Sequence, residues 1–129
     1  MRDEIQSLPG SLIREVANAA MGLQDVLPFW FGESDEVTLP EVREAAAQSL
    51  RDGETFYAHN LGLPALRQAI SGYASSLHPQ VGMDRIAVTS SGVSALMLAT
   101  QMLVGAGDEV VAGTPEWPNI TAQPLILGA

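Results

Sequence analysis

The residues best suited to bind an anion form a short run of small side chains, TSSGVS, at positions 89–94. The hydropathy pattern predicts a strand before this run and a helix after it, at 93–104. Small side chains leave the backbone uncovered, and the N–H groups and dipole of a helix N-terminus attract negative charge. The run therefore indicates a phosphate site, although serines at such a turn are also ordinary helix caps. It matches neither the Gly-x-Gly-x-x-Gly dinucleotide motif nor a P-loop.

Two further loops carry side chains that suit a ligand site. Trp117 follows a second predicted strand, and ligands of open α/β sheets bind at the carboxyl ends of strands. A flat aromatic ring near an anion turn suits a phosphorylated ring, with core packing as the alternative interpretation. Tyr57 and His59 lie in an aperiodic polar stretch, 54–63, where they can serve a site or simply be solvated.

The composition excludes several classes of protein and of site. Six arginines against fifteen acids give a net charge of -9, which argues against nucleic acid and anionic membranes as partners. The absence of cysteine and the presence of only two histidines argue against a metal site. No apolar run reaches the roughly 18 residues of a membrane span, and MRDE is unlike a signal peptide, so we expect a cytoplasmic protein. The chain contains no lysine.

The periodicity predicts the elements that must position these residues. Helices are expected at 11–21, at 38–52 and from Pro64 to His78, the second opened by a capping box at Thr38 and Glu41 and ended by Gly53. The apolar helix at 93–104 should be buried on several sides. Together with its flanking strands it forms a predicted βαβ unit. Strands are expected at 26–31, 85–89 and 109–112, with another beginning at 125–129.

Five segments, in order, resemble motifs of the fold-type I, pyridoxal phosphate-dependent aminotransferases of class I/II. Each segment alone is weak, but their order and spacing together are specific. They are FGESD at 31–35, Tyr57 with Gly62 and Leu66-Arg67, SGVSAL at 91–96, GAGDEV at 105–110 and PEWPN at 115–119. Ser34 stands where the family usually has proline, and Glu36-Val37 replaces the aromatic residue that often follows the aspartate. The resemblance therefore does not identify the amino-acid substrate.

The resemblance implies a role for each matching residue. Ser91, Gly92 and Val93 would bind the phosphate of pyridoxal 5'-phosphate, mainly through backbone N–H groups. Trp117 would stack on the pyridine ring. Tyr57 would reach the cofactor phosphate of the neighbouring subunit of a homodimer. Gly32 would offer its N–H to the substrate carboxylate, the substrates being an amino acid and a 2-oxo acid.

The family's fold implies a three-layer α/β/α architecture with a mostly parallel sheet, of which this chain would hold a truncated part. On that basis, residues 1–53 are the amino-terminal arm and the start of a small domain, and 54–129 are the first part of the large cofactor-binding domain. The Schiff-base lysine of the family lies further along than residue 129. Because this chain has no lysine, we expect it to contain no catalytic residue and to be inactive alone.

Other functions stay open at this point. A related pyridoxal phosphate-dependent lyase or synthase would share the same amino-terminal motifs. A non-catalytic short form would act as an interaction module. A downstream Ser-x-x-Lys in the reading frame would favour an enzyme, whereas a stop codon after Ala129 would favour the module.

Overall fold

The computed structural model describes all residues from Met1 to Ala129 and contains six α-helices with short connections. A single 3-10 turn, Met83–Arg85, lies between the fourth and fifth helices. The helices are α1 (Asp3–Gln6), α2 (Leu12–Ala20), α3 (Pro40–Arg51), α4 (Pro64–Leu77), α5 (Gly92–Leu103) and α6 (Asn119–Leu127).

The four helices predicted from periodicity, α2 to α5, are confirmed. Ser11 caps α2 by accepting a hydrogen bond from the Arg14 N–H at 3.3 Å. Gly53 ends α3 with a φ of 76°, a left-handed conformation that favours glycine. The predicted capping box of α3 is wrong, because Leu39 occupies the N-cap without a side-chain hydrogen bond and Pro40 opens the helix.

No strand forms, so the predicted strands at 26–31, 85–89 and 109–112 are wrong and the parallel sheet is not confirmed. Ile86 is extended, with φ -119° and ψ 123°, and the Val88 N–H donates to the Leu61 carbonyl oxygen at 2.9 Å. That carbonyl belongs to a loop rather than to a second strand. An apolar composition identifies an extended segment, but a sheet also requires a paired neighbour.

The last predicted strand, beginning at 125–129, is also wrong, because α6 occupies Asn119–Leu127. A short apolar run does not distinguish a strand from a helix by periodicity. Gly128 ends α6 in the left-handed region, with a φ of 86°.

The chain divides into two compact units. The first consists of residues 1–54 and 105–129, and the second of residues 55–104. In the first unit, the Arg2 side chain donates to the Ile126 carbonyl oxygen at 2.7 Å and joins α1 to α6. In the second, α4 contacts the 3-10 turn. The predicted domain division, 1–53 and 54–129, stays a prediction.

Few side chains are buried, and none of the large ones is fully buried. The buried residues are Ala17, Ile86, Gln123 and Pro124. The prediction that α5 is buried on several sides is wrong: it contacts no other helix of its unit, and Met102 and Leu103 are largely exposed, at 83% and 81%. None of the helices combines the length and the apolar character that crossing a membrane requires.

Candidate functional site

The run at 89–94 forms the N-terminal turn of α5, as its composition predicts. Ser91 is the N-cap, with extended backbone at φ -161° and ψ 162°. Its hydroxyl accepts a hydrogen bond from the Ser94 N–H at 3.1 Å, and its carbonyl accepts one from the Ala95 N–H at 3.1 Å. The turn is therefore an ordinary serine cap in geometry, and it lies at the surface with Ser91 and Gly92 exposed.

Three serine hydroxyls gather at this turn. The Ser94 oxygen lies 3.0 Å from the Ser91 oxygen and 3.2 Å from the Ser90 oxygen. The Thr89 hydroxyl donates to the Ser91 carbonyl oxygen at 2.7 Å, which fixes the backbone just before the helix. Ser90 and Ser94 lie in the run that the sequence indicates as a phosphate site, but only residues 91–93 are predicted to bind the phosphate. The spacing of Ser90 and Ser94, four residues apart across a helix start, is the signal that predicts their proximity.

Gly92 leaves the turn open. A Cβ placed on Gly92 would meet no atom within 4 Å, and its N–H donates no hydrogen bond within the chain. Gly92 and the neighbouring serine N-cap are exposed, as is Val93. Backbone N–H groups, hydroxyl donors and the positive end of a helix of twelve residues form a donor set that fits a phosphate.

The segment before the turn is held by a close contact with the loop at 57–62. Gly62 has a φ of 103°, and a Cβ placed on it would lie 2.7 Å from the Val88 side chain. The backbone hydrogen bond from Val88 to Leu61 runs beside this contact. The tight approach explains why glycine is needed at this position.

Tyr57 lies at the start of the same loop, with its side chain wholly exposed. The adjacent Phe56 is also exposed, at 91%. His59 is used locally, because its Nδ1 accepts a hydrogen bond from the Leu61 N–H at 3.2 Å. Tyr57 is thus the side chain of this loop that is accessible to a further molecule and also carries a hydroxyl.

Trp117 and Gly32 belong to the other compact unit. Trp117 is 44% exposed, and its carbonyl accepts a hydrogen bond from the Ile120 N–H at 3.0 Å at the start of α6. Gly32 follows a pair of aromatic rings, Trp30 and Phe31, in an edge-on arrangement with centroids 6.5 Å apart. The Arg14 guanidinium lies 4.8 Å from the centre of the Phe31 ring.

The predicted site residues are therefore divided between the units. Ser91, Gly92 and Val93 are contiguous at the start of α5, in the unit that also contains Tyr57, whereas Trp117 and Gly32 lie in the other unit.

Comparison with known proteins shows where this arrangement of segments occurs. The model of the family described as aminotransferase class I and II matches residues 25–123. The chain belongs to that family. The match includes the turn at 89–94, the loop of Tyr57 and the segments of Gly32 and Trp117.

Relatives within the aminotransferase family align with most of the chain. It is 32% identical to an aspartate aminotransferase of Pyrococcus horikoshii over 92% of its length. It is 35% identical both to a probable aspartate aminotransferase of Methanocaldococcus jannaschii, over 87% of its length, and to the putative aminotransferase YugH of Bacillus subtilis, over 89%. The chain spans only 31%, 30% and 30% of these three proteins, respectively.

Proposed function

We propose that the chain supplies the phosphate-binding part of a pyridoxal phosphate-dependent aminotransferase, which transfers an amino group between an amino acid and a 2-oxo acid. The observation that carries the proposal is the open N-terminal turn of α5. It combines a serine cap, clustered hydroxyls and an uncovered Gly92 within the family match. Pyridoxal phosphate supplies the electron-withdrawing ring that the reaction requires.

In this proposal, Ser91, Gly92 and Val93 hold the cofactor phosphate. The backbone N–H groups carry most of the binding, because they point out of the helix at its positive end. Hydroxyls of the serine cluster are close enough to one another to donate to the same phosphate group. The net charge of -9 makes this local concentration of donors more important for an anionic ligand.

The remaining residues orient the cofactor ring and the substrate. Trp117 stacks on the pyridine ring, and its partial exposure leaves ring surface for that contact. Gly32 donates its N–H to the substrate carboxylate. Tyr57 reaches the phosphate bound by the second subunit of a homodimer, and its exposure supports a role outside its own subunit.

The chain itself contributes no lysine for covalent attachment of the cofactor. We therefore propose that these 129 residues alone bind cofactor without turning over substrate. The lyase, synthase and interaction-module alternatives gain no support from the names of the relatives.

The test uses the polypeptide encoded by the complete reading frame that contains residues 1–129. We expect it to transfer the amino group of an amino acid to a 2-oxo acid, and to lose that activity when pyridoxal phosphate is removed by dialysis. The first amino acid to be tested as a donor is aspartate, because relatives are named aspartate aminotransferase or probable aspartate aminotransferase, and a panel of other amino acids follows. Elimination at the β-carbon without amino transfer, or no turnover with any member of the panel, would contradict the proposal.

A further inference from the structure

The Arg67 guanidinium forms hydrogen bonds with backbone carbonyls rather than an ion pair with an acidic side chain. It lies in the first turn of α4 and is partly buried. Its Nε donates to the Ile86 carbonyl oxygen at 2.9 Å, and its Nη2 donates to the Met83 carbonyl oxygen. The ion pairs of this acidic chain involve Arg2 and Arg51, and none involves Arg67.

These two carbonyls belong to the segment that leads directly into the phosphate turn. Ile86 is buried, at 8% exposure, and Val88 is tied to the Leu61 carbonyl. The segment is therefore held by α4 through Arg67 and by the loop at 57–62 through its backbone. The hydroxyls that follow, from Thr89 to Ser94, form hydrogen bonds among themselves and with the helix they open.

We propose that Arg67 is a positioning residue for the phosphate turn. By binding the carbonyls of Met83 and Ile86 together, its planar guanidinium fixes the backbone that carries Gly92 and Val93 toward the phosphate. A lysine has no comparable fork and cannot reproduce the same pair of hydrogen bonds. The inference rests on the proposed function, because it concerns the same phosphate turn.

The experiment measures the affinity of the 129-residue chain for pyridoxine 5'-phosphate and for pyridoxine. Neither probe carries an aldehyde, so covalent reaction with an amine does not contribute. The ratio of the two affinities reports recognition of the phosphate, whereas a general loosening of the fold lowers both affinities together. We expect Arg67→Met to reduce the ratio about tenfold. This is the size expected when the displaced turn loses a hydrogen bond to the charged phosphate.

Arg85→Met is the matched control. Arg85 is exposed in the same unit, its side chain forms no ion pair or hydrogen bond, and its replacement removes the same charge. The control should retain the native ratio. An equal fall in Arg85→Met and Arg67→Met would overturn the positioning role in favour of a general charge effect.

Arg67→Lys keeps the positive charge but removes the planar guanidinium. It therefore tests the paired hydrogen bonds to the two carbonyls if Arg67→Met fails to fold. We expect this variant to keep native helical circular dichroism and still lose most of the phosphate preference. A native ratio in Arg67→Lys or in a folded Arg67→Met would overturn the inference while leaving the phosphate site intact. If the unsubstituted chain itself binds both probes equally, the proposed function fails at its phosphate site.

Discussion

Two glycines of the same compact unit, Gly62 and Gly92, lack a side chain for different physical reasons. At Gly62 the backbone is left-handed and a methyl group would collide with Val88. At Gly92 the backbone is not left-handed, and a methyl group would meet nothing within 4 Å. The fold therefore requires glycine at position 62, whereas nothing in the fold requires it at position 92, where the proposed function calls for close approach of a phosphate.

Gly92→Val tests the ligand requirement. We expect the variant to fold normally and to bind pyridoxal phosphate at least about tenfold more weakly, because the branched side chain covers N–H groups that approach the phosphate. Equilibrium dialysis gives the affinity, and circular dichroism gives the helical content. Gly72→Val is the matched control, since Gly72 lies in α4 and a Cβ at this position would meet no atom within 4 Å. Unchanged affinity in Gly92→Val would remove the phosphate from this turn.

Gly62→Ala tests the fold requirement. Left-handed strain and overpacking against Val88 should together lower the free energy of unfolding by about 2 to 4 kcal/mol. Gly53→Ala separates the two effects, because Gly53 also has a positive φ but has open space beside it. That control should lose about 1 kcal/mol. Urea unfolding measures the free energy of unfolding of both variants. An equal decrease in the two would show that overpacking against Val88 does not destabilise Gly62→Ala.

At the scale of elements, the sequence predicts the helices better than the extended segments. The period of apolar residues in α2 to α5, with Ser11 and Gly53 at helix ends, depends only on residues close together in sequence. A strand depends on a partner elsewhere, and Val88 finds a loop carbonyl instead. The sequence does not predict α6, because its apolar residues lack a clear helical period and include Pro124.

The candidate site is predictable only in part, for a related reason. Small residues at 89–94 indicate an uncovered helix N-terminus by their composition and position alone. The contacts of Arg67 are different, because its partners are backbone carbonyls distant in sequence and no side-chain pattern identifies them. The contact between Ser90 and Ser94 is predictable in part, because their spacing places them close together once the start of α5 is known.

The apolar surface of α5 leads to a prediction at this same scale. Leu98 and Met102, four residues apart on one helix face, are 51% and 83% exposed. We expect the chain to self-associate through such surface, and replacement of both by Gln to shift it toward monomer. Ala99→Gln is the control, because it introduces the same side chain while removing only a methyl group. Sedimentation velocity over a concentration series measures the change, and equal association in both variants would exclude this face.

At the scale of the whole molecule, the chain is an acidic member of the aminotransferase family with two compact units. The turn at 89–94, where we propose that the phosphate binds, lies entirely within residues 55–104, so anion binding there can be tested without any assumption about how the units are arranged. The proposed ring and substrate contacts of Trp117 and Gly32 come from the other unit. Recognition of the phosphate is therefore the part of the proposed function that these 129 residues support most directly.

The most direct test is a nuclear magnetic resonance titration of the isotopically labelled chain with pyridoxine 5'-phosphate and, separately, with pyridoxine. The proposed function predicts saturable shifts of the Gly92 and Val93 amide signals with the phosphorylated compound alone, while the Gly72 amide signal stays in place. Absence of shifts at Gly92 and Val93, or equal shifts with both compounds, would contradict the assignment of the α5 N-terminus as the cofactor phosphate site.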